Sequence, residues 1–495
     1  MSLLSAVRTR FAPSPTGYLH VGGLRTALYA YLVAKKKEGT FLLRVEDTDR
    51  ERFVEGAVED FLKALNWAGI NPDEGVCLSG EHAVQKGDLG PYIQSERLDI
   101  YKKYSDQLIE KGFAYKCFCT KERLDNVREE LQKRGEVPKY DRHCLGLTED
   151  EINKNVSEGQ PFVVRLKIPE GITTFKDEIR GDISYPNKDL DDQVLMKSDG
   201  FPTYHMAVVV DDHEMQISHV IRGEEWISST PKHIILYNAF GWDVPVHAHL
   251  PLLLNEDRTK LSKRQGDVAV NDYINKGYLP EALVNFVAFL GWNPGDDREI
   301  FSIKDLIESF SLDKVSKSGA FFNTEKLDWY NREYLKNLSM TDFMIGIKKF
   351  SKVESIKNFN EEMLLKIGDI LKERISKYQD IDTMIEEGEL QYFFDKPNLE
   401  KNKIPNKNCD ADKTKEYLLA VFDMLSNMMS DWNPENIKET LWDYAGEKGR
   451  GDVLWPLRYS LCGKDKSPDP FTLAFVLGKD ETISRIKNAI SVLNV

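Results

Sequence analysis

A string rich in proline and glycine near the start of the chain marks a junction between a strand and a helix. Residues 13–23 read Pro-Ser-Pro-Thr-Gly-Tyr-Leu-His-Val-Gly-Gly and follow an apolar stretch that suits a short β-strand. From Gly22 onward, apolar residues recur at helical spacing, so the string leads into a helix N-terminus. Backbone N–H groups at such an end attract anions, and Gly22 and Gly23 let a ligand approach the backbone closely. With His20 as a hydrogen-bond donor, the segment predicts a phosphate site.

A basic cluster far along the chain can supply cations to the same phosphates. It reads Lys-Leu-Ser-Lys-Arg over residues 260–264, within a polar segment. The chain contains neither the pattern Gly-x-x-x-x-Gly-Lys nor the pattern Gly-x-Gly-x-x-Gly, which argues against the P-loop and dinucleotide-binding classes. Together the two motifs indicate chemistry at the α-phosphate of ATP.

The two motifs resemble the signatures of class I aminoacyl-tRNA synthetases. The sequence between them is similar to the bacterial-type glutamyl-tRNA synthetases, and the similarity runs from Arg10 to the C-terminus, with weaker detail after residue 331. The other matching stretches are residues 44–50, 94–97, 199–204 and 220–226. The resemblance implies ATP-dependent ligation of L-glutamate to tRNA(Glu) through glutamyl-adenylate, with release of AMP and pyrophosphate and with Mg²⁺ on the phosphates. It leaves open whether tRNA(Gln) is charged as well.

A glutamate pocket needs groups that match a side-chain carboxylate. Arginine suits this role because its paired N–H donors fit a carboxylate and its charge is permanent. Arg10 and Arg222 each lie at the end of a short apolar segment, and Tyr204 can add a hydroxyl group. Glu46 can hold the α-ammonium group, with Ser14 nearby. In glutamyl-tRNA synthetases the positions matching these residues contact the amino acid, so the resemblance implies the same pocket.

The ATP site is expected to rely on cations, because charge builds on the phosphoryl oxygens and on the leaving pyrophosphate. Lys263 is the predicted catalytic cation, supported by Lys260 and Arg264. The resemblance implies in addition that Glu225 and Trp226 flank the adenosine. The residues predicted to bind ATP or to assist the reaction are therefore His20, Gly22, Gly23, Glu225, Trp226, Lys260, Lys263 and Arg264.

A group of cysteines has the spacing of a zinc site. Cys117, Cys119 and Cys144 can supply three thiolates of a tetrahedral site, and the fourth ligand is Tyr140 or His143. The pattern resembles the zinc site of some glutamyl-tRNA synthetases and of the related enzyme that glutamylates queuosine in tRNA, which favours Tyr140. Other family members lack these cysteines, so one Zn²⁺ here would be structural. The alternative is three reduced cysteines without a metal.

The order of strand and helix patterns predicts several domains. The expected fold class is an α/β Rossmann-type parallel-sheet catalytic domain with an α+β insertion, followed by an all-α anticodon-binding region. β-Barrel signals, expected of archaeal-type and glutaminyl relatives, are missing. The expected boundaries are 1–97 and 190–255 for the two halves of the catalytic domain, 98–189 for the insertion with the zinc site and acceptor-end contacts, 256–330 for a stem-contact region with the Lys-Leu-Ser-Lys-Arg loop, and 331–495 for the helical region, with a further split near 395–407.

Composition limits the class of protein. The chain has 495 residues, of which 41% are hydrophobic and 30% charged, as in globular proteins. No apolar run has membrane-spanning length and no leader is visible, so a cytoplasmic protein without membrane contact is expected. The net charge of −14 requires the 67 lysines and arginines to gather on one face in order to bind tRNA. A monomer is the family expectation.

Three alternatives share part of this pattern. A glutaminyl-tRNA synthetase has the same catalytic motifs, but two arginines suit a carboxylate better than an amide. The queuosine-modifying relative matches the cysteines, yet it would end near residue 300. A non-catalytic RNA-binding scaffold would have no need of His20, Lys263, Arg10 and Arg222.

Overall fold

Residues 6–261, 268–352 and 361–494 are described by the structure, which is a computed structural model of the chain. The chain forms two compact units. The first comprises Met1–Ile274 and Pro280–Tyr330, and the second comprises Asn275–Leu279 and Asn331–Val495. Among the helices of the described ranges, none combines the length and the apolar character that crossing a bilayer requires.

The strands of the first unit form three sheets within the described residues. The largest has eight strands in the order β4-β3-β2-β1-β10-β11-β7-β8, a second has three in the order β5-β6-β9, and β12 pairs with β13. The strands are β1 (Arg8–Phe11), β2 (Thr40–Leu43), β3 (Glu74–Ser79), β4 (His82–Lys86), β5 (Ala114–Cys117), β6 (Val163–Leu166), β7 (Ile172–Asp177), β8 (Gly181–Pro186), β9 (Val194–Met196), β10 (His219–Gly223), β11 (Val246–Leu250), β12 (Leu253–Leu254) and β13 (Ala320–Phe321).

The large sheet is parallel from β3 to β7 and antiparallel at its two edges, where β4 and β8 pair with their neighbours. Within the sheet, β2 is the neighbour of β1 on one side, and β10 is its neighbour on the other side. The strand order therefore reverses between β1 and β10. In open α/β sheets the crevice at the carboxyl ends of such strands is the usual ligand site. Arg10 and Arg222 lie at these two ends.

The expected insertion and the expected catalytic half exchange strands. β7 and β8 fall within residues 98–189, yet β7 pairs in parallel with β11 and extends the large sheet. Conversely, β9 falls within residues 190–255 and pairs with β6 in the small antiparallel sheet. The two regions are interwoven in space because strand pairing depends on residues that are distant in sequence.

Helices cover the large sheet and build the second unit. The helix α1 begins after His20, buries Leu24 and Leu28 against the sheet, and carries Lys35 and Lys36 in its last turn, where basic residues favour the helix C-terminus. The helices are α1 (Val21–Lys36), α2 (Ala57–Trp67), α3 (Leu98–Glu110), α4 (Lys121–Lys133), α5 (Glu149–Ser157), α6 (Tyr204–Glu214), α7 (Thr230–Phe240), α8 (Val270–Asn275), α9 (Pro280–Ala288), α10 (Ile303–Ser309), α11 (Thr324–Asn337), α12 (Met340–Phe350), α13 (Glu361–Arg374), α14 (Gln379–Glu386), α15 (Ala411–Ser426), α16 (Pro434–Lys448), α17 (Arg450–Cys462), α18 (Pro470–Leu477) and α19 (Lys479–Asn494).

The second unit contains helices and 3-10 turns but no strand in its described residues. Its core includes the fully buried apolar residues Leu364, Ile367, Leu371, Leu418, Val421 and Leu425. Ile404 is fully buried in the same core. The segment 395–407 is therefore joined to this core at Ile404, while most of its other residues are exposed. The expected fold class, a parallel α/β catalytic domain followed by an all-helical region, is confirmed.

Candidate functional site

A cavity of about 860 Å³ opens at the carboxyl ends of β1 and β10. It lies where the strand order reverses, which is the usual ligand position in this architecture. Every predicted glutamate or ATP contact within the described residues lines this cavity: Arg10, Ser14, His20, Gly22, Gly23, Glu46, Tyr204, Arg222, Glu225, Trp226 and Lys260. Lys263 and Arg264 lie outside the described residues. The fold thus brings together side chains from stretches that are far apart in the sequence.

His20 caps α1 with its own ring. Its Nδ1 accepts hydrogen bonds from the backbone N–H groups of Gly22 and Gly23, at 3.1 and 3.3 Å. An imidazole nitrogen that accepts is unprotonated, so the proton of the neutral ring lies on Nε2. These two N–H groups are therefore bonded to His20, whereas the sequence suggested that they were open to a phosphate. A Cβ atom at Gly22 would lie 2.9 Å from His20 Cε1, so glycine is needed there to fit the ring.

The residues on both sides of 262–267 are fixed by backbone hydrogen bonds. On one side, Leu261 N–H donates to the carbonyl of Leu253 at 2.9 Å. On the other side, Val21 N–H donates to the carbonyl of Val268 at 2.9 Å, and Val270 N–H donates to the carbonyl of Leu19 at 2.8 Å. Lys260 lines the cavity. The roles expected of Lys263 and Arg264 stay predictions.

Arg10 is held by a carboxylate. Its side chain is 4% exposed, and its Nε and Nη2 donate to the two oxygens of Asp212 at 3.1 and 3.3 Å. Its Nη1 donates to the carbonyl of Ile221 at 3.5 Å. The paired geometry fixes the plane of the guanidinium, because both donors of one edge meet both oxygens of one acid. Arg10 therefore lines the cavity, and Asp212 balances much of its positive charge.

A buried ion network continues from Asp212 to the floor of the cavity. Arg44, which is fully buried, lies 2.9 Å from Asp212, 3.1 Å from Glu46 and 3.5 Å from Asp211. Burial opposes the charge of Arg44, yet these carboxylates raise its pKa well above the usual value. For Asp212, burial is outweighed by Arg10 and Arg44, and its pKa is lowered. The network therefore favours the ionised forms of Arg44 and Asp212.

Glu46 is the member of this network that faces the cavity. Burial raises the pKa of its carboxyl group, and Arg44 and Arg10 offset this only in part. A carboxylate in this position gains from a further cation, since a nearby positive charge favours its ionised form. The environment of Glu46 therefore suits an ammonium group in the cavity.

Arg222 is held differently from Arg10, by neutral acceptors. Its Nε donates to His249 Nε2 at 3.1 Å, its Nη1 to the hydroxyl of Tyr204 at 2.8 Å, and its Nη2 to the hydroxyl of Thr230 at 2.8 Å. The carbonyl of Trp226 accepts a longer bond of 3.4 Å. Among the residues that the structure describes, no carboxylate forms an ion pair with Arg222. Its positive charge is therefore available to a ligand.

Tyr204 and Trp226 form an aromatic wall beside Arg222. Their ring centroids lie 4.3 Å apart, and the Trp226 side chain is 38% exposed on the cavity. Burial raises the pKa of the Tyr204 hydroxyl, although Arg222 opposes this shift. The hydroxyl thus stays protonated at neutral pH and can donate to a ligand while it accepts from Arg222. Glu225 lies at the same rim.

The residues that hold the two arginines were missed in the sequence. Asp211 and Asp212 directly follow the apolar helical run Ala207–Val210, and two adjacent acids at that point were the available signal. His249 alternates with His247 in the buried strand β11. That alternation is a weak signal, because buried histidines are common without any function.

The predicted cysteines come together in a cluster with one tyrosine. The sulfur atoms of Cys117, Cys119 and Cys144 all lie within 4.8 Å of one another. Tyr140 Oη is 3.3 Å from Cys117 Sγ and 3.4 Å from Cys119 Sγ. Four ligand atoms at these separations can surround one Zn²⁺ with bonds of about 2.0–2.3 Å after small shifts. His143 is exposed and does not join the sulfur group within the described residues.

Two arginines lie close to this thiol cluster. The guanidinium of Arg165 lies over the ring of Tyr140, 4.0 Å from its centroid. Arg123 Nη1 is 3.4 Å from Cys119 Sγ, and Arg123 also pairs with Asp141. Three thiolates on a Zn²⁺ leave a net negative charge, which neighbouring guanidinium groups offset. The residues present therefore fit a zinc ion.

Two family models match the chain. The model for the catalytic domain of class I tRNA synthetases (E and Q) matches residues 6–329, and the model for an anticodon binding domain matches residues 333–490. With the fold and the cavity described above, these matches define the class: the chain belongs to the class I tRNA synthetases of the E and Q group.

Curated relatives and solved structures narrow the similarity further. The chain is 48% identical to a glutamate--tRNA ligase of Clostridioides difficile (strain 630), over 97% of this chain and 98% of that protein. It is 46% identical to one of Finegoldia magna, over 99% and 100%. The crystal structure of a glutamate tRNA ligase from Elizabethkingia meningosepticum, in complex with its amino acid, matches with a TM-score of 0.85 at 42% identity, over 99% of this chain and 100% of that one. The predicted resemblance to glutamyl-tRNA synthetases is confirmed.

Proposed function

We propose that this protein is a glutamate--tRNA ligase, which joins L-glutamate to tRNA(Glu) at the expense of ATP. The observation that carries the proposal is the position of Arg222: a buried guanidinium without a carboxylate partner among the described residues, in the same cavity as the helix cap of His20. The first group suits an acidic side chain, and the second suits a nucleotide phosphate. The family and the named relatives support the same assignment.

In the first step, an α-carboxylate oxygen of glutamate attacks the α-phosphorus of ATP. A new oxygen–phosphorus bond forms while the bond from the α-phosphorus to the bridging oxygen breaks, and pyrophosphate leaves. The product is glutamyl-adenylate. The step depends on alignment of the reactants and on stabilisation of the growing charge, more than on proton transfer.

In the second step, a hydroxyl group of the 3′-terminal ribose of tRNA attacks the carbonyl carbon of glutamyl-adenylate. The bond from this carbon to the phosphate oxygen breaks, and AMP leaves. The hydroxyl proton passes to the departing phosphate or to solvent. The products are glutamyl-tRNA and AMP.

Glutamate is proposed to bind between the two arginines. Arg222, Arg10 and the hydroxyl of Tyr204 hold the side-chain carboxylate, and Glu46 and Ser14 hold the α-ammonium group. The charges around these side chains support this orientation. Arg222 has no acidic partner within the described residues, and Glu46 gains from a cation.

ATP is proposed to bind with its phosphates near the N-terminus of α1. The Nε2–H group of His20 can donate to a phosphate oxygen, since Nδ1 is occupied by the helix cap. Glu225 and Trp226 flank the adenosine. Lys260, Lys263 and Arg264 supply positive charge to the phosphates and to the leaving pyrophosphate, together with the Mg²⁺ that accompanies ATP as part of the substrate.

The thiol cluster is proposed to hold one structural Zn²⁺. Cys117, Cys119 and Cys144 provide thiolates, and Tyr140 provides the fourth ligand. When bound, the ion links the end of β5 to the 3-10 helix His143–Gly146. It takes no part in the chemistry of the cavity.

tRNA is proposed to meet several regions of the chain. Residues 98–189 contact the acceptor end, residues 256–330 contact the stem, and residues 331–495 contact the anticodon. The match of an anticodon binding domain to residues 333–490 supports the last of these. Monomeric state, cytoplasmic location and the charging of tRNA(Gln) stay predictions.

The test is ATP–pyrophosphate exchange with glutamate and with glutamine, each with and without tRNA(Glu). Exchange with glutamate is expected, and the family resemblance predicts that it depends on tRNA. Exchange with glutamine alone would reject the proposal, and RNA binding without any aminoacylation would favour the scaffold alternative. Charging of purified tRNA(Glu) and tRNA(Gln) then decides whether the enzyme discriminates between them.

A further inference from the structure

Arg222 is anchored by a neighbour on the adjacent strand. Arg222 and His249 are direct register partners of the parallel strands β10 and β11. Arg222 Nε donates to His249 Nε2 at 3.1 Å, and His249 Nδ1 lies 2.6 Å from Asp177 Oδ2. All three side chains are at most 6% exposed. The line Asp177–His249–Arg222 thus runs from the end of β7 to the wall of the cavity.

Asp177 determines which nitrogen of His249 carries the proton. Its Oδ2 accepts from the backbone N–H of His249 at 3.1 Å, and its Oδ1 accepts from the N–H groups of Ile179 and Arg180 at 3.0 and 2.8 Å. A carboxylate bonded in this way is an acceptor only, so His249 Nδ1 must donate to it. Nε2 is then left as a neutral acceptor for Arg222. These hydrogen bonds lower the pKa of Asp177 in spite of its burial.

The remaining acceptors around Arg222 are also uncharged. His233 Nδ1 lies 3.4 Å from Arg222 Nη1, and its Nε2 lies 3.0 Å from His205 Nδ1. Burial lowers the pKa of His233 well below its usual value and lowers the pKa of His205 to about 3. The two rings are therefore neutral at physiological pH. Among the described residues, the groups that hydrogen-bond to Arg222 therefore carry no opposing charge.

The buried ion network behind Arg10 and Glu46 balances charge in the opposite way. There, buried arginines and acids pair with one another, as in Arg10 with Asp212, Arg44 with Glu46, and Arg97 with Asp211 at 2.7 Å. These side chains comprise three arginines and three acids, so this network carries no formal net charge. Arg222, by contrast, forms no ion pair with a carboxylate among the described residues.

We propose that His249, with its tautomer fixed by Asp177, is a positioning residue that holds Arg222 through an uncharged nitrogen and so reserves the guanidinium charge for the acidic side chain of the substrate. The inference rests on the proposed function, because it assigns the basis of its preference for glutamate over glutamine. A carboxylate in place of the His249 ring would neutralise Arg222 from behind and remove this preference.

The test compares His249→Gln with His249→Glu. A glutamine can accept from Arg222 with its oxygen and donate to Asp177 with its nitrogen, as the ring does, whereas glutamate has nearly the same shape and adds a negative charge. The Gln variant is expected to retain the preference for glutamate although its rate falls. In the Glu variant the ratio of kcat/KM for glutamate over glutamine is expected to fall roughly 10- to 150-fold, the range of one charged hydrogen bond. Most of this change should lie in the KM for glutamate, with the KM for ATP unchanged.

A second pair of variants, at Thr230, keeps the test informative if His249→Glu does not fold beside Asp177. Thr230 donates and accepts next to Arg222 at the first turn of α7, where aspartate is well tolerated by a helix. Thr230→Asp should lower the same ratio, and Thr230→Asn should not. Thermal unfolding of each variant shows whether it is folded.

The possible outcomes separate the two claims. Wild-type protein that fails to activate or transfer glutamate would reject the proposed function itself. Suppose that the wild type is active and that, in each pair, the folded acidic and amide variants have the same ratio of kcat/KM for glutamate over glutamine. This result would reject only the role of His249. A lower ratio in the acidic variants alone would support it.

Discussion

The candidate glutamate pocket and the thiol cluster are both built from buried polar groups of the first unit, but they balance charge in different ways. In the pocket, Arg10 and Arg44 pair with Asp212 at 2.9–3.1 Å. In the thiol cluster, Tyr140 Oη lies 3.3 and 3.4 Å from the sulfurs of Cys117 and Cys119, and a bound cation favours the anionic form of such sulfurs.

This difference predicts which property each site controls. The pocket is organised by its own ion pairs, so the fold does not need the substrate, and changes at the ligand-facing arginine should act on catalysis. The cluster gains its strongest bonds only with a metal, so metal loss should act on stability. The comparison would be wrong if substitutions in the pocket acted mainly on stability, or substitutions in the cluster mainly on catalysis.

The largest effect is expected for Arg222→Gln. The substitution removes the unpaired charge of the pocket, and loss of one partner of a buried charged pair lowers kcat/KM for glutamate on the order of 10³-fold. The preference over glutamine should disappear. Arg222→Lys keeps the charge but not the paired donors and should be intermediate. An unchanged preference in Arg222→Gln, measured by pyrophosphate exchange, would remove Arg222 from the pocket.

A slightly smaller effect is expected for Lys263→Ala. If Lys263 stabilises the departing pyrophosphate, the rate of activation should fall by about 10²- to 10³-fold while glutamate binding changes little. Lys304→Ala, an exposed lysine on α10, serves as the control. The assignment fails if only the KM changes.

Cys117→Ser tests whether the thiol cluster binds zinc and stabilises the fold. Metal analysis of the wild type should find about one zinc per chain, and the variant should lose it together with roughly 3–6 °C of Tm. Its kcat should change less than that of Arg222→Gln. Cys77→Ser, a half-buried cysteine away from the cluster, is the matched control. A metal-free wild-type protein would contradict the zinc site.

The smallest effect concerns the neutral histidines behind Arg222. Burial lowers the pKa of His205 from 6.5 to about 3, so the unfolded chain takes up its proton first as the pH falls. The contribution of this ring to stability is complete above about pH 6.5 and is lost progressively toward pH 3. His205→Gln should flatten this part of the stability–pH curve in a Cys117→Ser background, where zinc release plays no part. His82→Gln, at an exposed histidine of β4, serves as the control substitution.

Much of the site could be predicted from the sequence, because its parts are local. A strand–turn–helix junction with Gly22 and Gly23 forms within one short segment, and its glycines are visible in the sequence. Arg10 and Arg222 follow short apolar stretches, and the carboxyl ends of neighbouring parallel strands meet at one edge of a sheet. The spacing of the cysteines also predicted that they gather in one cluster, whereas the choice of Tyr140 over His143 came from the family resemblance.

The remainder depends on contacts between distant residues. The exchange of β7 and β9 between the two sheets follows from pairings that no local pattern records. The role of Asp212 requires α6 to pack behind β1, and that of His249 requires the register between β10 and β11. The bonding of His20 Nδ1 to Gly22 reflects a ring orientation that composition does not encode.

The attachment of β7 to the edge of the large sheet sets a limit on how this chain can be shortened. Asp177, the last residue of β7, is the outermost support of Arg222, although it belongs to the stretch between the two catalytic halves. A truncation that replaces residues 98–189 with a short connector would keep every signature motif. It would nevertheless remove the support of Arg222, the proposed contact to the glutamate side chain. Any minimal version of the catalytic domain must therefore retain the β7–β8 hairpin.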